Sequence, residues 1–281
     1  MAARGVDLSG SSEGARRSGQ GRPAVSIVLP TYNREALIGR SIRSVLEQTF
    51  ADFELIVVDD GSTDATTEEL TRLAHGDRRI RYLRLDENRG AAAARNVGIR
   101  HAMGPFIAFQ DSDDEWLPVK LERHMRVFAT CGPDVGVVYS DMDRILSDGT
   151  VQYHRSPDIA PGVLIDPGTG FYQVCKLGIQ SAVIRSECFA RAGGFNEDFP
   201  VLEDLELFLR LSQRYGFHHL HEPLVRYYET HGLSKNMPAK LIARALLLNL
   251  YRRNLEREDT AFVARESSLL GGGREGKSSG A

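Results

Sequence analysis

Three polar clusters stand immediately after apolar runs: Pro30-Thr31-Tyr32-Asn33-Arg34 after VSIVL (25–29), Asp59-Asp60-Gly61-Ser62 after ELIVV (54–58), and Asp111-Ser112-Asp113-Asp114 after PFIAFQ (105–110). Asp111 and Asp113 are two residues apart, a spacing at which one carboxylate binds a divalent cation while the other reaches a neighbouring hydroxyl. Hard cations such as Mg or Mn keep several waters and bind through one or two carboxylates plus substrate phosphates. A turn capping the next helix explains the same run, because Asp and Ser dominate such positions. Asp60 can accept an N–H from a nucleobase and Tyr32 can stack on that base; a plain turn with Gly61 at positive φ is again the competing reading. Alone each cluster is weak, but at the ends of adjacent strands they favour a nucleotide site.

Further candidates lie elsewhere. Asn88-Arg89-Gly90 precedes AAAARNVG, whose small side chains allow close packing on a sheet and whose amino end offers unpaired N–H groups to phosphate, with Arg95 one turn further in. Arg89 reads as a surface arginine, Arg95 as part of the site. Glu203 and Asp204 open an apolar helical stretch, where acids serve as dipole partners or, when fixed on a rigid element, as a general base; spacing alone leaves both readings open. In His218-His219-Leu220-His221, strand alternation puts His219 and His221 on one face, yet no third ligand has matching spacing, which favours structural histidines over a metal site. His231 falls in a loop and stays open.

The elements that must position these residues follow from periodicity. Strands are predicted at 25–29, 54–58, 80–85, 105–110 and 135–140, alternating with helices over 37–46, 64–74, 91–102 and from Pro118, taken as a first-turn proline. Strands apolar on both faces and joined by helices imply a doubly wound, mostly parallel sheet with helices on both faces, whose ligands lie beyond the carboxyl ends of the strands. Beyond about 140 the pattern loosens into strands at 149–153, 181–185 and 224–228 and helices at 203–214 and 239–256. Residues 1–23 and 266–281 are too rich in Gly and Ser to offset their ordering entropy and read as disordered tails.

Lys+Arg 35 against Asp+Glu 38 excludes a global field for nucleic acid or membrane, so an anionic ligand must be held locally. Three cysteines without CxxC spacing, no leader-like segment and no long apolar run point to a cytoplasmic setting. The last helix mixes Leu241, Ile242 and Leu250 with Lys240, Arg252 and Arg253. Packing on the core or on a second subunit is the favoured reading, contact with a membrane surface the other.

With these motifs in order, VSIVLPTYNREALIGRSIRSVLEQTFADFELIVVDDGSTDAT, ENRGAAAARNVGI, FIAFQDSDDEWLPVKL, RAGGFNEDF and LEDLELFLRL closely resemble the family 2 glycosyltransferases of the GT-A fold, from about Val25 to Ser234. The resemblance implies one Rossmann-like GT-A domain over 24–237, its nucleotide half at about 24–140 and its acceptor half at about 141–237, followed by a helical extension at 238–265. It further implies that Pro30 and Tyr32 contact the base, that Asp60 bonds a uracil, that Arg95 lies near the diphosphate, and that Asp111 and Asp113 form the DxD pair toward ribose and metal. Asp204 would be the general base, and His231 a further position near the metal or diphosphate. The expected activity is inverting transfer of a sugar from a nucleotide-diphosphate donor, most readily a UDP-sugar, to a sugar, lipid-linked or small-molecule acceptor, in cell-surface polysaccharide or glycoconjugate synthesis. A sugar nucleotidyltransferase fits less well, because LPTYNRE replaces the Gly-rich loop such enzymes carry after their first strand, and a silent sugar-nucleotide-binding module would not need acids at 111, 113 and 204.

Overall fold

A computed structural model describes residues 21–166, 171–229 and 236–271. In chain order the elements are β1 (Val25–Thr31), α1 (Ile38–Leu46), β2 (Phe53–Asp59), α2 (Thr66–Gly76), β3 (Ile80–Arg84), α3 (Ala91–His101), β4 (Phe106–Phe109), β5 (Glu115–Trp116), α4 (Lys120–Phe128), β6 (Val135–Ile145) and β7 (Val151–His154). There follow β8 (Ile165–Asp166), β9 (Phe171–Tyr172), β10 (Ala182–Arg185), α5 (Ser186–Ala192), α6 (Glu203–Ser212), β11 (Gly216–Tyr228), α7 (Met237–Glu258) and α8 (Thr260–Gly271).

The main sheet runs β3-β2-β1-β4-β10-β6-β11-β5, with β7 added on β6. From β3 to β4 all pairings are parallel, as runs such as VSIVL and ELIVV require: β1 and β2 are buried at every position because helices cover both faces. One face packs on α1 through Ile38, Ile42 and Val45, and the other receives α3 and, beyond it, α5, α6 and α7. Beyond β4 the sheet departs from a doubly wound pattern. The predicted strand at 135–140 does not join β4; β10 inserts between β4 and β6, antiparallel to both. That insertion needs a chain reversal between β6 and β10, where the strand predicted at 149–153 appears as β7 on β6 but no local period announces where β10 pairs. The strand predicted at 224–228 is the end of the longer β11, whose register slips at Leu220, Pro223 and Val225. Its half-exposed first part carries the histidines and lacks apolar alternation.

Pro118 does not sit in a first helical turn: α4 starts at Lys120, and the Pro118 carbonyl instead accepts the Thr49 N–H at 2.9 Å. The C-terminal end is also longer than its Gly and Ser content implies. After α7, a second helix turns back and seats Phe262 and Val263 in the core, while Glu266, buried, takes the Arg244 guanidinium at 2.9 Å. The expected tail from 266 is thus corrected over 266–271, which belong to α8, because two aromatic or branched side chains and one buried ion pair hold that helix. Residues 1–20 and 272–281 lie outside the described residues. Among the described residues, no helix is long and apolar enough to cross a membrane.

Close approach of α3 to β1 depends on small side chains. A Cβ at Gly98 would lie 2.3 Å from Val28 Cγ1, and Val28 is fully buried with a stiff, branched side chain. Gly to Ala inside a helix ordinarily stabilises by roughly 0.5–1 kcal/mol. Here Gly98→Ala is expected to reverse that sign and cost about 1–3 kcal/mol by overpacking, whereas Gly76→Ala, with open space around it, is neutral; thermal unfolding of the two variants reads the difference.

Candidate active site

The carboxyl ends of β1, β2 and β4 open on a cleft of about 1130 Å³. Pro30, Tyr32, Asp60, Arg95, Asp111, Asp113 and Asp204 all line it, so the structure brings these seven candidates together. His231 lies outside the described residues.

The three strand ends are locked to one another. Asp59, buried at the end of β2, accepts the Ser62 N–H at 2.8 Å, and Gly61 turns there at φ +75°. Any side chain at Gly61 would meet the backbone of Glu87 at 2.9 Å, so the turn is fitted to the chain entering α3. Asp60 holds that entry: its two oxygens accept the N–H groups of Arg89 at 2.8 Å and Gly90 at 2.7 Å. Burial pushes its carboxyl above the usual range, against the pull of these two donors. Asp60 therefore sits in the cleft wall as the bracket of the 88–90 turn. Tyr32, directly after β1, is 40% exposed and lines the cleft.

Arg95 lines the cleft with its charge shared between two acids. It is buried in the second turn of α3 and forks between two acids, Nη2 to Asp111 Oδ1 at 2.8 Å and Nη1 to Glu203 Oε1 at 2.6 Å. Its charge is consumed by these carboxylates, which hold its own ionisation further up than usual. The sequence reading missed Glu203 as a partner, since its spacing from Arg95 is set only by the tertiary fold.

The Asp111–Asp114 loop is fixed from behind. Ser41 Oγ donates to the Asp111 carbonyl at 2.8 Å, Arg40 to the Asp113 carbonyl at 2.6 Å, and Gln110 Nε2 to the Asp114 carbonyl at 2.7 Å. The Asp113 carboxylate lies 3.9 Å from Arg34. Asp114 turns inward, where its oxygens accept the Tyr228 N–H and the Gln180 amide, both at 3.0 Å, and burial drives its carboxyl well above the usual range. It joins this loop to the end of β11 and to the entry of β10, a role with no signal in the local sequence. Asp111 and Asp113 thus present an oxygen-only donor pair on a rigid loop at the cleft, a set that fits a hard cation such as Mg or Mn.

Across the cleft, Asp204 stands in the first turn of α6, whose preceding residue Leu202 is held at φ +63°, a costly conformation for a branched side chain. Burial, with the Glu203 charge adding and Arg95 opposing, raises its pKa to about 7. The histidine cluster lies apart. His219 bridges Asp141 and Asp158, each at 2.7 Å, and stacks on Tyr139. Asp141 supplies the third nearby donor that spacing did not reveal, with His221 completing the group. At hydrogen-bond distance on both ring nitrogens, His219 ties the 155–163 segment to the sheet.

The family model described as glycosyl transferase family 2 matches residues 26–183. The chain belongs to that family. An Escherichia coli relative, the UDP-Glc:alpha-D-GlcNAc-diphosphoundecaprenol beta-1,3-glucosyltransferase WfgD, is 42% identical over 133 residues, 47% of this chain and 51% of the relative. The chain matches between 41% and 51% of the length of the first curated relatives. Among solved structures, S. aureus TarS 1–349 in complex with UDP-GlcNAc superposes with a TM-score of 0.62 at 21% identity, covering 80% of this chain and 66% of that one. The mannosyltransferase PcManGT from Pyrobaculum calidifontis, in complex with GDP-Man and Mn2+, gives 0.58 at 22% identity over 84% of this chain and 65% of that one. The fold is therefore that of GT-A glycosyltransferases, with a mixed sheet.

The Asp204 pKa has a consequence for stability. Between pH 4 and 7 the unfolded chain loses this proton while the folded chain keeps it, so its contribution to stability falls as pH rises through that window and stays low above about 7. Asp204→Asn is expected to raise Tm at pH 8 and leave it unchanged near pH 4, measured by calorimetry at both.

Proposed function

We propose that this protein transfers a sugar from a nucleotide-diphosphate donor, most readily a UDP-sugar, to an acceptor hydroxyl with inversion at the anomeric carbon. The observation that carries the reading is the half-buried Asp204 carboxylate, its pKa raised to about 7, lining the same cleft as the Asp111/Asp113 pair. A base is most effective when its pKa lies near the working pH, because it is then both deprotonated and basic enough to take the proton.

In this reading the base stacks on Tyr32 beside Pro30, and Asp60, already bracketing the 88–90 turn, offers its remaining acceptor capacity to the uracil N–H. Asp111, oriented by Arg95, faces the ribose, and Asp113 holds the divalent cation. When bound, that cation supplies positive charge that stabilises the departing diphosphate. Asp204 takes the proton of the acceptor hydroxyl as its oxygen forms the new bond to the anomeric carbon. The bond to the donor's diphosphate oxygen breaks in the same step, and the diphosphate leaves with the electron pair. One displacement with one carboxylate base inverts the centre, by the logic that separates inverting from retaining glycoside chemistry. The Mn2+ and nucleotide sugars named for the structural neighbours support the donor side, and the lipid-linked diphosphate acceptor named for the E. coli relative supports a lipid-linked acceptor in glycan assembly.

The test is release of UDP or GDP from a panel of nucleotide sugars with Mn, with and without acceptor. Asp204→Asn is expected to lower transfer by about 10²-fold or more while donor binding by calorimetry is retained, and chelation of the metal is expected to remove both transfer and tight donor binding. Transfer by Asp204→Asn at a near wild-type rate, or pyrophosphate as the product, would overturn the reading.

A further inference from the structure

The start of α7 has three faces. Ala239, Ala243 and Leu247 are buried in the core, and Asn236 and Lys240 line the cleft. The remaining face points to solvent and is aliphatic: Met237 is 60% exposed, Leu241 44% and Ile242 57%. The sequence reading placed Leu241 and Ile242 on a core-packing side; the fold turns them outward, because the alanines and Leu247 make the contact instead. The helix start is pinned in this orientation by the Asn236 side chain, which accepts the Ala239 N–H at 3.1 Å, and by Pro238 in the first turn. The three side chains form an aliphatic ridge beside the cleft-lining residues Asn236 and Lys240.

We infer that this ridge is an interfacial membrane contact, which sets the acceptor side of the cleft against a bilayer containing anionic lipid. The inference rests on the lipid-linked acceptor proposed above: such an acceptor keeps its reactive end within reach of the bilayer surface, and among the described residues no helix spans a membrane. The position fits, because Lys240 and Lys176 line the cleft beside the ridge, and Arg253 continues the exposed side of α7 further along, next to Arg252, which pairs with Glu256. Cations flanking a shallow aliphatic face match an anionic headgroup layer, into which such a face inserts only as far as the acyl boundary. A second copy of the chain fits less well. Three side chains offer on the order of 300 Å², short of the roughly 800 Å² per partner of a stable dimer, and like-charged arginines would face one another across a two-fold contact.

Co-sedimentation of the full chain with vesicles tests this. The wild type is expected to sediment with vesicles of phosphatidylcholine and phosphatidylglycerol, and less with phosphatidylcholine alone or at high salt. A variant carrying Met237→Ser, Leu241→Ser and Ile242→Ser is expected to lose about tenfold or more of that binding, while Leu269→Ser, exposed on α8, retains it. Hydrolysis of the nucleotide sugar in solution reports the donor chemistry separately, and the triple variant is expected to keep the wild-type rate. Failure of that hydrolysis in the wild type would count against the proposed function; normal hydrolysis with no vesicle binding would overturn the membrane contact alone. Vesicle binding unchanged in the triple variant would also overturn it, as would a wild-type dimer in light scattering that the triple variant converts to monomer without change in vesicle binding.

Discussion

A single buried guanidinium joins the two halves of the cleft. Arg95 is 7% exposed and bonds Asp111 on one side and Glu203 on the other, at 2.8 and 2.6 Å. A buried charge costs several kcal/mol unless it is paired, so the positions of three segments become one condition. α3 brings Arg95, the loop after β4 brings Asp111, and the start of α6 brings Glu203. Loss of either acid leaves the cation half paired, and loss of the cation leaves two acids facing each other next to Asp204. The same pairing sets the charge around Asp204, where Glu203 pushes the proton on and Arg95 pulls it off.

The sheet makes this meeting possible. The parallel strands β3-β2-β1-β4 point their carboxyl ends at one edge, where DDGS, LPTYN and DSDD follow directly. β10 then runs antiparallel beside β4 and carries the chain into α5 and α6, which return Glu203 and Asp204 to the same edge. Asp114 closes the far side by fixing Tyr228 and Gln180. Gly61 and Gly98 mark close approaches that leave no room for a side chain, the first against the backbone of Glu87 at the cleft edge and the second against the Val28 side chain between α3 and β1.

What the sequence disclosed follows physical range. Strands buried on both faces leave continuous apolar runs, and the parallel half could be drawn from them, along with the polar residues that end each run. Asp111, Asp113, Asp60, Tyr32 and Asp204 were identifiable because they sit at such ends or in a first helical turn. The Arg95–Glu203 pair was not, because it joins residues 108 apart through the tertiary fold alone. The two carboxylates that hold Arg95 accordingly left no local signal. The antiparallel insertion of β10 and the half-polar β11 were hidden for a related reason: their pairing partners, not a local period, decide their place. In the C-terminal region, composition obscured α8, whose few apolar residues, Phe262 and Val263, are enough once Arg244 and Glu266 are paired.

The central claim is that the Arg95, Glu203 and Asp204 charges act as one unit that tunes the base. Glu203→Gln keeps an acceptor for Arg95 while deleting the like charge beside Asp204, so the pH dependence of kcat/KM measures the coupling directly. The acid limb, which rises as Asp204 loses its proton near pH 7 in the wild type, is expected to move to lower pH in the variant, whose Tm falls because Arg95 keeps only the Asp111 charge. An acid limb that stays in place in a folded, active Glu203→Gln protein would contradict the account.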